Sequence, residues 1–205
     1  MMTWSVDSGP HSAATLSSAD DAALIDQYLR TNDEEIFEIL VRRYQEKVFR
    51  LSASILGRGV EGEAEDATQE VFVVLLRRLK TFRGECAFST WLYRVARNQI
   101  IDYRRRALRR PSHVSDDVLQ QMPDSGLLTD PQGVVTAGQR RARLMSHVDR
   151  LTGPQRVVVN LHYWQEQSVA EIAELLDLKP GTVKSHLLRA RQSLAIALRE
   201  DGCHD

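Results

Sequence analysis

An all-α fold of two small helical domains joined by a flexible linker follows from three observations. Apolar residues recur at i, i+3, i+4 and i+7 over most of the chain, the spacing of helices with one buried face. Between residues 111 and 133 that period is lost, and Pro111, Pro123 and Pro131 stand among Ser, Asp and Gly. No clear strand pattern appears, and the one β-prone triplet, Val157-Val158-Val159, sits inside a helical frame.

The elements follow in order. Residues 1–19 are small and polar and read as a disordered tail. They lack the basic and apolar segments of a signal peptide, and no stretch approaches transmembrane length, so a cytoplasmic protein without membrane insertion is expected. From Asp20 onward Ile25, Leu29, Ile36, Phe37, Leu40, Val41, Tyr44, Val48, Leu51 and Ile55 keep helical spacing. Gly57, Gly59 and Gly62 interrupt it, and a helix restarts near Glu63 and runs to about Lys80. The loop TFRGECAFS leads into another helix from about Thr90 to Arg106. The first domain is thus placed at 20–107 and the linker at 108–133. Helical pattern returns over Val134–Leu151, Pro154–Trp164 and Ser168–Leu198, which places the second domain at 134–200.

The segment from Ser168 to Leu198 says most about function. Two short helices joined by a tight turn form a helix-turn-helix, and the second carries Lys184, Ser185, His186, Arg189 and Arg191, a polar and basic series suited to a DNA major groove. Ile172 and Leu176 form an apolar pair on the first helix. Ala173 is small where the helices approach. Pro180 falls where a missing N–H costs nothing, and Val183 and Leu187 supply the buried stripe of the second helix. Asp177 stands where such turns often have Gly, and Asp tolerates left-handed backbone better than most residues.

The charge distribution agrees. The 205 residues carry a net charge of −1, so attraction to nucleic acid must come from local patches. Acids crowd the stretch Asp20–Glu35 and the run Glu61–Glu70, and arginines crowd Arg94–Arg110. The two cysteines, Cys86 and Cys203, form no CxxC pair, which argues against a zinc site or a disulfide scaffold. The acids of Glu61–Glu70 come without His or Cys ligands, and no glycine-rich phosphate loop occurs. No catalytic residue, metal site, cofactor or small-molecule substrate is expected.

Three features of the first domain carry chemistry. In EAEDATQEVFVVLLRRL, Glu65, Asp66, Gln69 and Glu70 cluster at the start of an otherwise apolar helix, where acids also suit the helix dipole. In TFRGECAFSTWLYRVARNQIIDYRRR, Phe82, Phe88, Trp91, Tyr93 and Tyr103 interleave with arginines. That mixture suits single-stranded DNA, whose bases stack on rings at about 1–3 kcal/mol each while arginines follow the phosphates. The helical spacing of Trp91 with Val95 equally suits a core role for some of the rings. Tyr103–Arg110 adds a dense cationic run.

With LVRRYQEKVFRL, AEDATQEVF, FRGECAFSTWLYRVARNQIIDYRRR, LTGPQRVVVNLHYWQEQSVAEIAELL and GTVKSHLLRAR in this order, the chain resembles the sigma-70 family of RNA polymerase sigma factors. In particular it is similar to the small extracytoplasmic-function type, which keeps only regions two and four. The resemblance runs from about Ala23 to Leu198 and implies roles. Region two would bind core RNA polymerase through Asp66, Gln69 and Glu70. It would engage the −10 promoter element through Arg83, Phe88, Trp91, Arg94 and Asn98. Region four would read the −35 element of promoter DNA through Lys184, Ser185, Leu188, Arg189 and Arg191. An anti-sigma factor is an expected partner. His186 often corresponds to Arg in this family, and Cys86 to Ser or another small polar residue; the bland reading of Cys86 is a small side chain filling a small space. The competing class is a helix-turn-helix regulator that does not bind polymerase. It would need a receiver domain of alternating strands and helices, or a dimerising core, and neither pattern is present.

Overall fold

In a computed structural model the structure describes residues 20–57, 61–109 and 137–201. The expected tail at 1–19 and Cys203 lie outside them, as does nearly all of the expected linker. All regular elements among the described residues are helical. They are α1 (Asp21–Thr31), α2 (Glu34–Leu56), α3 (Glu61–Arg78) with a 3-10 turn at Leu79–Thr81, α4 (Phe88–Arg109), α5 (Ala137–Arg150), α6 (Gly153–Val159) continuing as a π-helical turn at Asn160–Trp164, α7 (Val169–Leu176) and α8 (Pro180–Glu200).

The helical period of residues 20–56 is split in two, which the apolar spacing alone does not reveal. Asn32 takes the left-handed conformation at φ 53° and ends α1, and the Asp33 side chain accepts from the Glu35 N–H at 2.9 Å to start α2. Asp21 then ties the two helices together by accepting from Arg43 and from the Tyr44 hydroxyl. Burial, and next the Asp21 carboxylate, push the Tyr44 phenol above its ordinary range, so it stays a neutral donor. Helix α2 is the hub of the first domain. It packs on α1, α3 and α4 and buries Ile36, Leu40, Val48 and Leu51 completely.

In the second domain α8 packs on α5, α6 and α7. Ile172, Ala173, Val183, Leu187 and Ala190 are buried at the helix-turn-helix contact. Asp177 is left-handed at φ 55°, and Pro180 is the first residue of α8. Ser168 caps α7 reciprocally: its hydroxyl accepts from the Glu171 N–H at 3.2 Å, and the Glu171 carboxylate accepts from the Ser168 N–H at 2.8 Å.

The two domains pack on each other. One apolar core runs through both, and α2 packs against α6 and the π turn while α4 packs against α7.

Replacing the cap serine, Ser168→Ala, should cost about 1 kcal/mol in urea unfolding at pH 7. The hydrogen bonds from Ser168 hold the Glu171 carboxyl below its ordinary range. Its share is therefore complete above the unfolded carboxyl pKa and lost as pH falls through the lower folded one. The gap between wild type and variant should accordingly narrow in acid, and a gap that widened would contradict the assignment.

Candidate nucleic-acid and polymerase interfaces

The turn of the helix-turn-helix sets the face that α8 presents. With Val183, Leu187 and Ala190 turned inward, Lys184, Ser185, Leu188, Arg189 and Arg191 are all exposed, and Leu188 keeps 56% of its surface in solvent. An exposed leucine between basic residues offers the apolar contact that a thymine methyl takes in a major groove. Lys179, Gly181, Thr182, Ser185, His186 and Arg189 line an open groove of about 380 Å³ at the start of the helix. The Ser185 hydroxyl donates to the Gly181 carbonyl at 2.9 Å, which leaves its lone pairs facing outward as acceptors. Arg191 differs from the others, because its Nε donates to the Tyr163 hydroxyl at 2.6 Å.

The residues expected at the −10 element divide sharply. Arg83 and Asn98 are exposed, and Trp91 and Arg94 are half-buried. Phe88 stands apart from them: it is only 4% exposed, and its ring is enclosed edge-on by Tyr44 and Phe82 at 5.5 Å and stacked on Trp91 at 6.0 Å. A ring so enclosed cannot stack on a base. Its ring supports Trp91, which like Phe82 is half-buried at the edge of the aromatic cluster and meets Phe82 at 5.3 Å. The loop that carries Arg83 turns at Gly84, whose φ of 72° favours glycine.

On α3, Asp66 and Gln69 are exposed and stand beside Val73 and Leu76, which leave 50% and 43% of their surface in water. Glu70 is half-buried and already engaged. It accepts from Gln99 at 2.9 Å and from Arg106, both on α4, and that ion pair raises the Arg106 guanidinium above its ordinary range. Asp66, Gln69, Glu70, Val73 and Arg77 with Gln99 and Tyr103 of α4 line an open groove of about 490 Å³. Sequence reasoning found its acids and missed Val73 and Leu76, whose exposure depends on which face of α3 the core takes.

The largest feature that the sequence did not disclose joins the domains. Three side chains of the second domain donate to backbone carbonyls along one face of α2. Arg156 Nε reaches the Ser54 oxygen at 2.9 Å, Asn160 Nδ2 the Arg50 oxygen at 3.3 Å, and Gln165 Nε2 the Lys47 oxygen at 3.0 Å. Ser54 lies in the last turn of α2, where carbonyls lack a partner within the helix, and a guanidinium there also meets the negative end of the dipole. Gly57 favours the close approach. Its φ is 101°, and a Cβ there would stand 3.2 Å from Arg156 Nη2. Gln165, 4% exposed, also accepts from the Tyr93 hydroxyl on α4 at 2.8 Å. Burial first, then the charges of Asp21 and Glu166, push the Tyr93 phenol above its ordinary range and keep it a donor. A further link pairs Arg94 with Glu174 of α7, so a residue expected on the −10 element is held by the first helix of the helix-turn-helix.

An exposed basic helix face, an arginine-lined aromatic cluster and an acidic and apolar helix face thus stand on one helical chain. Residues 40–110 match Sigma-70 region 2, and residues 141–194 match Sigma-70 region 4. The ECF RNA polymerase sigma-E factor of Escherichia coli (strain K12) is 32% identical over 180 residues, spanning 85% of this chain and 92% of that protein. The sigma-E factor of Haemophilus influenzae is 30% identical over 181 residues, spanning 85% and 93%. The chain belongs to the ECF RNA polymerase sigma factors. Its fold is shared with CnrH, solved with the cytosolic domain of CnrY, at a TM-score of 0.59 and 24% identity over 88% of this chain and 98% of that one. It is shared also with the sigma factor RpoE of Bartonella quintana, solved with the anti-sigma factor NepR, at 0.58 and 20% over 80% and 96%.

The interdomain contacts should differ widely in strength. Gln165→Leu strands the buried Tyr93 hydroxyl and should cost about 1–3 kcal/mol in urea unfolding. Glu174→Ala, which removes an exposed ion pair, should cost less than about 1 kcal/mol. The reverse order would contradict this account of the joint.

Proposed function

We propose that the chain joins core RNA polymerase through the exposed face of α3 and brings it to promoters whose two elements are read by different domains. Asp66 and Gln69, with Val73 and Leu76 beside them, take the polymerase. Glu70 fixes α3 to α4 and contributes from the edge of that surface. Arg83, Trp91, Arg94 and Asn98 take the opened −10 strand, with Trp91 offered for stacking and the arginines for phosphates. Lys184, Ser185, Leu188 and Arg189 read base edges of the −35 duplex. The domain spans are 20–107 for region two and 134–200 for region four, joined by 108–133. The observation that carries this reading is the recognition stripe of α8, exposed on the same chain as the exposed acidic and apolar face of α3.

The docked arrangement of the two domains is, on this reading, a resting form. Elements at −10 and −35 lie about 25 base pairs apart, about 85 Å of duplex at roughly 3.4 Å per pair. A folded chain of this length has a radius of gyration of only about 17 Å. The contacts to α2 must therefore open for both elements to be read at once. An anti-sigma partner, such as the one solved with the Bartonella quintana protein, would act by covering these surfaces or by holding the closed form.

Mixing the chain with core polymerase tests the first step: a co-migrating complex is expected, and a folded chain that fails to join the polymerase would favour a free-standing regulator. For the second step, Arg189→Ala in the assembled enzyme should lose about 1–3 kcal/mol of discrimination between cognate and scrambled −35 sequences, read from transcription on the two templates. Equal losses on both would make Arg189 a phosphate contact.

A further inference from the structure

Tyr163 is half-exposed, yet it is held firmly. It lies on the π-helical turn, its ring meets His162 edge-on at 4.9 Å, and His162 Nδ1 is 3.0 Å from the Gln167 carbonyl, to which it donates. The same turn, with the Gln165 that ends it, sends Asn160 and Gln165 toward α2 and Tyr163 toward α8. A π turn inserts one residue into the helical register, which lets one short segment serve two faces.

Arg191 meets this platform. Its Nε donates to the Tyr163 hydroxyl, and its guanidinium carbon lies 5.7 Å from the ring centroid, within cation–π reach. Among the described residues its two terminal nitrogens have no hydrogen-bond partner. The guanidinium is thus fixed at one end and open at the other. Arg191 shares a stripe of α8 with Lys184 and Leu188, but lies about 10 Å further along the axis than Lys184 at roughly 1.5 Å per residue. The first turns of a recognition helix reach the base edges, and a cation that far along meets the wall of the groove. A free arginine there would sample many rotamers; one anchored through Nε presents its two Nη groups in a fixed direction to a phosphate.

We propose that Tyr163 is a positioning residue for DNA binding, which anchors Arg191 as a phosphate clamp flanking the −35 contact. The proposal rests on the reading of α8 as the −35 helix, and it removes Arg191 from the base-reading set. Tyr163 acts through Arg191 alone and touches no base.

The test uses the full chain and a random-sequence duplex, since a phosphate contact is independent of sequence. Affinity is measured over a salt series for wild type, Tyr163→Phe, Arg191→Ala and the double variant. Tyr163→Phe keeps the ring and removes the hydroxyl. Arg191→Ala should weaken binding and lower the salt slope by about one. Tyr163→Phe should weaken binding by about fivefold, the scale of one ordinary hydrogen bond, with an unchanged thermal midpoint. The double variant should bind no worse than Arg191→Ala. If Arg191→Ala weakens binding but Tyr163→Phe has no effect, or its effect adds in full to that of Arg191→Ala, the positioning role is overturned while the −35 reading stands. If Arg191→Ala leaves affinity and slope unchanged, Arg191 is no DNA contact and the proposal falls with it.

Discussion

The row of carbonyls at Lys47, Arg50 and Ser54 on α2 is the feature on which the rest of the structure depends. The Lys47 and Arg50 oxygens keep a second lone pair beside their helical bond and the Ser54 oxygen has no helical partner, and Gln165, Asn160 and Arg156 use them at three successive points on one helix face. The grip fixes the second domain against the hub of the first. It makes the core continuous, buries the Tyr93 hydroxyl against Gln165, and brings Arg94 beside Glu174. Gly57 eases the approach, because a Cβ there would crowd the Arg156 guanidinium at 3.2 Å. A partner that disturbs any one of these donors acts on all of them, because they share one short segment of chain.

Strong and weak contacts are distributed unevenly, and the distribution suits the opening proposed for promoter binding. The buried members, Gln165 and Tyr93, are satisfied in full, so separating them in a dry interior is costly while separating them into water is not. The exposed pair Arg94–Glu174 contributes little and can release Arg94 to a phosphate at small cost. The faces proposed for polymerase and for duplex DNA do not take part in the grip. α3 makes its main contacts with α2 and α4, and the outward stripe of α8 faces solvent. The closed form thus leaves both outer surfaces available while it holds the two DNA-reading domains together.

Much of this was legible in the sequence. The helical period found the elements, Asp177 and Pro180 marked the turn of the helix-turn-helix, and the buried stripe of Val183 and Leu187 placed the outward residues of α8 correctly. The break at Asn32-Asp33 was written as a left-handed cap followed by an N-cap, but a continuous apolar period masks such a signal. The burial of Phe88 is not legible, because an aromatic between arginines looks the same whether it faces solvent or supports the ring that does. The domain joint could not be read at all. Its donors are a glutamine, an asparagine and an arginine with nothing unusual in their spacing, and its acceptors are backbone atoms, which the sequence does not distinguish from any others.

The central claim is that the grip on α2 keeps the two DNA-reading domains closed until polymerase and promoter separate them. Energy transfer between dyes at Lys80 and Arg199, both exposed, measures it directly if the labels are introduced without touching Cys86 or Cys203. The account predicts efficient transfer in the free protein and a large fall once core polymerase and promoter DNA are added. Low transfer in the free protein, or the same efficiency in the assembled complex, would contradict it.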